Sequence, residues 1–406
     1  MLSPLSDAKE DFMPRAPLTL FFIASALFGF GMSFLGVLMN LRLADTGMST
    51  SLIGDIQSAA AFGTVLVALP AAVLFDRIST RSLLVATTVI SAIGFAVLAL
   101  GLDARLLFFA SFVMGAASAV HGVIAAPFLM RHAGERARSD AFGLNYGIEV
   151  ATGIIGTLVA GWLPVFLVNR LIRGDSAAMI VGAISILLAA LPYYATGDVR
   201  DAGASTQPLR SYLFNRDLLR FLKIIVPDIL IGFGAGITIP FLNLYLKERF
   251  HLDTGTIGTA LAASNALMLL GVLAGPPLGR RFGLLRTVAG SQLLSIPFMV
   301  LLALTYDIRV AVICLIARSA LMNMSHPLAR AFQMECIPPK DHATVNSLCM
   351  LGWNATWMLG TFVGGRIIGV AGFTHSILFT SAIYFLSTII YLTLWAQPKY
   401  LLVGRN

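Results

Sequence analysis

The sequence predicts an all-α membrane protein of twelve transmembrane helices arranged as two six-helix, pseudo-symmetric halves. Three observations carry this. Hydrophobic residues make up 57% of the 406-residue chain and charged ones 12%, whereas a soluble domain carries about 25% charge and needs it to cover a water-facing surface. Apolar runs of bilayer length recur along the whole chain. A local pattern near residue 30 returns about 203 positions later, in the second half.

The runs fall at 17–40, 50–75, 82–101, 106–130, 141–165, 176–196, 221–246, 256–279, 286–306, 309–334, 343–369 and 372–396. At 1.5 Å rise per residue, about 20 residues cross a hydrocarbon core of about 30 Å. None shows the alternation over about ten residues that marks a barrel strand. The opening stretch MLSPLSDAKEDFMPRA is polar. The run after it is too long for a signal-peptide core, so the first span is expected to stay. Cys314, Cys336 and Cys349 have no metal-ligand spacing. They read as small apolar residues rather than a disulfide framework.

The repeat is GFGMSFLGVLMNLRL from Gly29 against GFGAGITIPFLNLYL from Gly232. It keeps its register beyond the first span. Gly54 matches Gly258, and Phe128/Phe332, Met130/Met334, Gly156/Gly360, Thr157/Thr361 and Gly161/Gly365 are all offset by 204. Such a register reads as an internal duplication. The boundaries are 1–196 for the N-terminal half, 197–219 for an exposed linker rich in Gly, Ser, Gln and Pro, and 220–406 for the C-terminal half.

A net charge of +8 does not call for nucleic acid. With both termini in the cytoplasm, seventeen Lys and Arg fall on that side. Eight fall outside: Arg42, Arg105, Arg170, Arg173, Lys247, Arg249, Arg309 and Arg366. That bias follows the positive-inside rule and orients the chain as a multi-pass protein of the cell (inner) membrane, with the lipid bilayer as its surroundings.

Two halves with the same in–out order suit a rocking secondary transporter. The loop after the second span reads Leu74-Phe75-Asp76-Arg77-Ile78-Ser79-Thr80-Arg81. It resembles the Gly-x-Leu-x-Asp-Arg-x-Gly-Arg-Lys/Arg signature of the major facilitator superfamily in Leu74, Asp76, Arg77 and Arg81, with both glycines lost. The second half has Leu278-Gly279-Arg280-Arg281-Phe282-Gly283 at the same place, with Arg280 for the aspartate. The resemblance spans the chain. It implies a monomer that moves a small-molecule substrate by alternating access, with spans 3, 6, 9 and 12 outermost and the others lining a central cavity. It also implies a cytoplasmic gate at Asp76, Arg77, Arg81, Arg280 and Arg281. The family's drug/proton antiporters carry an arginine four residues before a glycine in the fourth span and a Gly-Pro pair in the fifth. Here Ser111 and Gly156-Thr157 stand instead.

Charges inside a bilayer are costly and mark function. Glu149 lies in the fifth span, with Asn145, Tyr146 and Thr152 one turn away on its face. Asp228 follows Pro227 in the seventh span, before Gly232, Gly234 and Gly236, where the helix is expected to be weak and to bend. Arg318 sits near mid-membrane in the tenth span, with Ser325 on the same face two turns on, and Asn323 belongs to the same candidate set. His121, Trp353 and Trp357 complete the substrate-binding or proton-coupling set, the tryptophans as a surface on which a flat substrate stacks. Glu149 or Asp228 takes a proton in one reading, with Arg318 attracting an anionic group or tuning the acid. In the other, Arg318 and one acid form a fixed interhelical ion pair.

No Walker A motif, exposed Ser-His-Asp set or metal cluster is present in the sequence, so neither an enzyme nor a cofactor is expected. The reading is a secondary transporter, proton-coupled, with export ahead of uptake. Uptake of a small organic anion held by Arg318, or a non-transporting sensor or scramblase on the same fold, are the alternatives.

Overall fold

A computed structural model describes residues 16–75, 78–133, 138–167, 173–197, 218–338 and 341–395. Asp76 and Arg77, and nearly all of the expected linker, lie outside the described residues. The helices are α1 (Ala16–Asp45), α2 (Thr50–Phe75), α3 (Thr80–Leu100), α4 (Ala104–His132), α5 (Arg138–Phe166), α6 (Gly174–Ala195), α7 (Leu218–Thr238), α8 (Leu242–Phe250), α9 (Thr254–Phe282), α10 (Leu284–Leu304), α11 (Ile308–Glu335) and α12 (His342–Trp395). Among the described residues, eleven helical stretches are long and apolar enough to cross a membrane. The seventh is α7 and α8, joined by a 3-10 turn at Ile239–Phe241. The last, the 54-residue α12, is interrupted at Gly372 (φ 81°, ψ 173°). A straight helix of that length would reach about 80 Å, so α12 makes two passes. A left-handed φ at the corner suits glycine alone. Among the described residues twelve spans result, with the last boundary where the sequence places it.

The chain groups into two units: Met1–Arg42 with Phe62–Thr206, and Leu43–Ala61 with Gln207–Asn406. In the first, α3 packs on α4 and α6. Its core holds Phe21, Leu84, Ile124, Phe128 and Tyr193. In the second, both passes of α12 pack on α7, and α11 packs on α9 and α10. Its core holds Ile224, Val288, Phe332, Tyr391 and Trp395.

The sequence repeat is a repeat of helix crossings. In the first unit a Cβ on Gly29 would lie 3.1 Å from Thr152 Oγ1, and one on Gly156 would lie 2.8 Å from the Phe30 carbonyl oxygen. In the second, a Cβ on Gly232 would lie 2.7 Å from Thr356 Oγ1, and one on Gly360 would lie 2.2 Å from the Phe233 carbonyl oxygen. Thus α5 crosses α1 as the first pass of α12 crosses α7, on small residues that let backbones touch. Caps repeat too. Ser49 and Asp253 accept from Leu52 N and Thr256 N, and Asp103 and Asp307 accept from Leu106 N and Arg309 N. Each pair is offset by 204 and opens a helix.

The expected weak point in the seventh span moves. Pro227 lies within continuous α7, and Ser387 Oγ donates to the Pro227 carbonyl at 2.9 Å. Gly232 and Gly236 serve close packing on α12. The break falls later, at the turn containing Pro240, where proline removes a backbone donor.

Two predictions arise here. Gly360→Ala drives a methyl into backbone that has no side chain to move, so it should cost about 1–3 kcal/mol. A lowered melting temperature in detergent checks it; an unchanged one would mean that the crossing is loose. Asp253 holds its carboxyl below the usual range, chiefly through the Thr256 hydroxyl and then the Thr256 N–H. A depressed folded-state pKa gives stability present above the unfolded value and lost as pH falls through the folded one. Asp253→Ala should therefore cost about 0.5–1 kcal/mol at neutral pH. The gap from wild type should close below about pH 4, as read in melting curves against pH.

Candidate functional site

In the first unit α5 presents an open polar face. Glu149 lies eleven residues (149 − 138) past the start of α5, about 16 Å along it. Its carboxylate is exposed, and its one side-chain hydrogen bond among the described residues comes from Asn145 Nδ2 at 2.7 Å. Asn145 is itself buried, and its Oδ1 has no partner. Tyr146 is half exposed, and a Cβ on Gly143, Gly147 or Gly153 would meet nothing within 4 Å. Of the α5 glycines, Gly156 brings α1 close, whereas Gly153 faces open space. Thr152 turns away, donating to the Ile148 carbonyl of its own helix at 2.7 Å.

His121 of α4 stacks on Phe28 of α1 at 4.5 Å and 5°. Its Nε2 meets the Tyr193 hydroxyl at 3.3 Å, and its Nδ1 is buried without a partner. Phe28 and Tyr193 hold the ring, and Tyr193 is a residue that the sequence reading missed. An aromatic cluster of this kind, stacked on one side and edge-on at the other, is mainly packing.

In the second unit the two expected charges separate. Asp228 Oδ2 accepts from Gln333 Nε2 at 3.0 Å and lies 3.3 Å from Arg330 Nη1, which also donates to Gln333 Oε1 at 3.2 Å. Asp228 thus pairs with Arg330, not with Arg318. Arg318 is 5% exposed, lies against the Tyr384 hydroxyl, and has no carboxylate within ion-pair distance among the described residues; its Nε has no partner. The fixed pair of Arg318 with an acid, one of the two sequence readings, is therefore not formed. Gln333 went unnoticed, although His326, Arg330 and Gln333 stand at i, i+4 and i+7 on one face of α11. Asn323 folds back on its own helix, donating to the Ser319 carbonyl at 2.9 Å. Trp353 and Trp357 stack at 6.2 Å and 28°, and the His326 ring meets Trp353 edge-on at 4.9 Å and 77°.

Several basic residues near helix ends are occupied. Arg42 donates to the Gly101 carbonyl and Ser176 Oγ, and Arg173 pairs with Asp175. In the second unit Arg249 donates to the Thr305 carbonyl and lies over Tyr306, and Lys247 pairs with Asp45. Arg366 Nη1 lies 2.7 Å from Asp55 Oδ1, beside the Gly54–Gly365 contact. Gly101 and Thr305 stand at C-terminal helix ends offset by 204, where a cation answers unpaired carbonyls. Of the expected gate residues, Arg81 lies over the Tyr194 ring at 5.0 Å, while Arg280 and Arg281 are exposed at the end of α9. Among the described residues no cluster of three or more His, Cys, Asp or Glu could hold a metal.

Solved structures share this architecture. One is a nucleoside transporter, NupG, at TM-score 0.77 and 16% identity, covering 94% of this chain and 98% of its own. A bacterial homologue of the human lysosomal transporter Spinster, inward-facing and occupied, matches at 0.76 and 16%, covering 93% and 96%. A D-xylose-proton symporter matches at 0.72 and 14%, covering 93% and 96%. At such identities the likeness shows the fold. No curated protein matches the sequence. The family model for the Major Facilitator Superfamily matches residues 21–226 and 229–402. The chain is therefore a transporter-fold membrane protein, not an enzyme, and it belongs to the Major Facilitator Superfamily.

Proposed function

We propose that the protein is a monomeric, proton-coupled secondary transporter of the cell membrane that exports a small molecule by alternating access. One observation carries this reading: Glu149 is an exposed carboxylate inside a membrane span, with no cation beside it among the described residues. An acid so placed is costly unless function keeps it. It can hold a proton or, when free of one, the donor group of a solute. Two ligands competing for one carboxylate give exchange, and an inward proton gradient then drives the solute outward. Asp228 is occupied by Arg330 and Gln333, which favours Glu149 as the coupling acid. Arg318 is buried against Tyr384, which leaves uptake of an anion held there without support. The excess of Lys and Arg on one side supports termini in the cytoplasm.

Asp55–Arg366 and Asp45–Lys247 tie Leu43–Ala61 to helices of the second half. In this reading they open and close with each cycle, and Asp76 and Arg77 play the corresponding part at the cytoplasmic end.

The test is flux in proteoliposomes under an imposed pH gradient, with nucleosides, sugars, organic cations and organic anions as probes. The reading expects flux of at least one probe that follows the gradient and stops with a protonophore. Flux indifferent to the gradient would contradict coupling. Lipid movement without solute flux would favour a scramblase.

A further inference from the structure

The two halves keep the same small residues where helices cross and differ at neighbouring positions. Gly29/Gly232, Thr152/Thr356 and Gly156/Gly360 are identical. At the offset of 204 kept by Thr152/Thr356 and Gly156/Gly360, Glu149 becomes Trp353, Gly153 becomes Trp357 and Gly122 becomes His326. The first half is open at these places: a Cβ on Gly122 or Gly153 would touch nothing within 4 Å. The second half fills them with three aromatic rings, Trp353 lying between His326 and Trp357 in contact with each.

We infer that these three residues form a recognition ledge for a flat, nitrogen-bearing heteroaromatic ring. The inference rests on the transporter reading above and supplies its substrate class. Packing explains the pair poorly. Tryptophans that anchor a helix in lipid sit at the membrane–water interface. Trp353 lies eleven residues (353 − 342) into α12, about 16 Å along it. It is turned inward, its ring 3.4 Å from where a Cβ on Gly232 would stand and in contact with His326 of α11. Both tryptophans remain partly exposed, so the stack is not closed over by protein.

The ledge also has a polar edge. His326 is partly exposed, and its ring nitrogens have no hydrogen bond among the described residues. One turn on, Arg330 keeps part of its guanidinium accessible while it holds Asp228. A ring that extends the Trp353–Trp357 column can thus meet a ring nitrogen of His326 along its own edge. A sugar offers no aromatic face, and a quaternary ammonium, which can sit on tryptophan by cation–π attraction, offers no hydrogen-bonding rim for the histidine. Stacking on tryptophan tolerates any π-face, while the histidine selects a hydrogen-bonding rim.

The test reads the ledge by its own emission. The chain has four tryptophans, and Trp162 and Trp395 are replaced by phenylalanine so that Trp353 and Trp357 report alone. The full-length protein in nanodiscs is titrated with adenosine, uridine and nicotinamide, and with glucose and tetramethylammonium as controls. The inference expects saturable quenching by at least one heteroaromatic probe and none by the controls. Trp357→Leu should weaken that binding roughly tenfold, Trp357→Phe much less. His326→Ala should weaken it as well, read from quenching of the unchanged tryptophans. Saturable binding of glucose or tetramethylammonium alone, or equal binding by Trp357→Leu and wild type, would overturn it. Proton-driven flux of a non-aromatic solute in proteoliposomes would overturn it while leaving the transporter reading intact. Absence of gradient-driven flux for every probe would bring down both.

Discussion

Glu149→Gln should abolish uphill transport and spare exchange down a gradient. The substitution keeps the size of the side chain and its bond from Asn145 Nδ2, and removes the group that changes charge. An inward gradient of one pH unit is worth about 1.4 kcal/mol per proton, enough for a roughly tenfold solute gradient. The variant should bring that ratio to one in proteoliposomes. If it still concentrates solute, coupling lies elsewhere.

The second large effect is on stability. Asp228→Ala removes the acceptor shared by Gln333 and Arg330 and leaves a cation in a membrane span without its partner. Breaking a buried pair from one side costs about 3–5 kcal/mol. Arg330 keeps partial access to solvent, so about 2–3 kcal/mol is expected here. Asp228→Asn, whose amide oxygen still accepts from Gln333, should lose about half as much. Thermal melts of the purified variants decide it. An Asp228→Ala protein as stable as wild type would free Asp228 for the proton role that the sequence shares between it and Glu149.

Legibility in the sequence followed the range of the interaction. Composition and run length gave the spans. Gly29, Gly156, Gly232 and Gly360 sit at matching crossings because the duplication preserved what backbones need in order to touch. The corner between the last two spans falls at Gly372, where the apolar runs 343–369 and 372–396 meet. The open face of α5 was readable because helical spacing alone puts Asn145 and Glu149 together.

Pairings between distant segments were not readable. Nothing local distinguishes Arg330 from Arg318 as the partner of Asp228, which lies on another helix 102 positions (330 − 228) away. The choice is made by the rotation of α11, which turns Arg330 and Gln333 toward α7 and sends Arg318 to Tyr384. Asp55 and Arg366 are 311 positions apart and reveal themselves only in three dimensions. The bend expected at Pro227 and its glycines was misplaced for a related reason. Packing against α12 supports that stretch, and the break shifts to Pro240.

The account stands on Glu149 meeting each side of the membrane in turn. The most direct measurement is labelling of Glu149→Cys by a membrane-impermeant thiol reagent, applied to intact cells and to inverted vesicles. Cys314, Cys336 and Cys349 are buried and are replaced by alanine so that one thiol reports. The account predicts labelling from both sides, each slowed when a bound solute or a cross-link at positions 55 and 366 holds one state. Labelling from one side under every condition, or from neither, would contradict it.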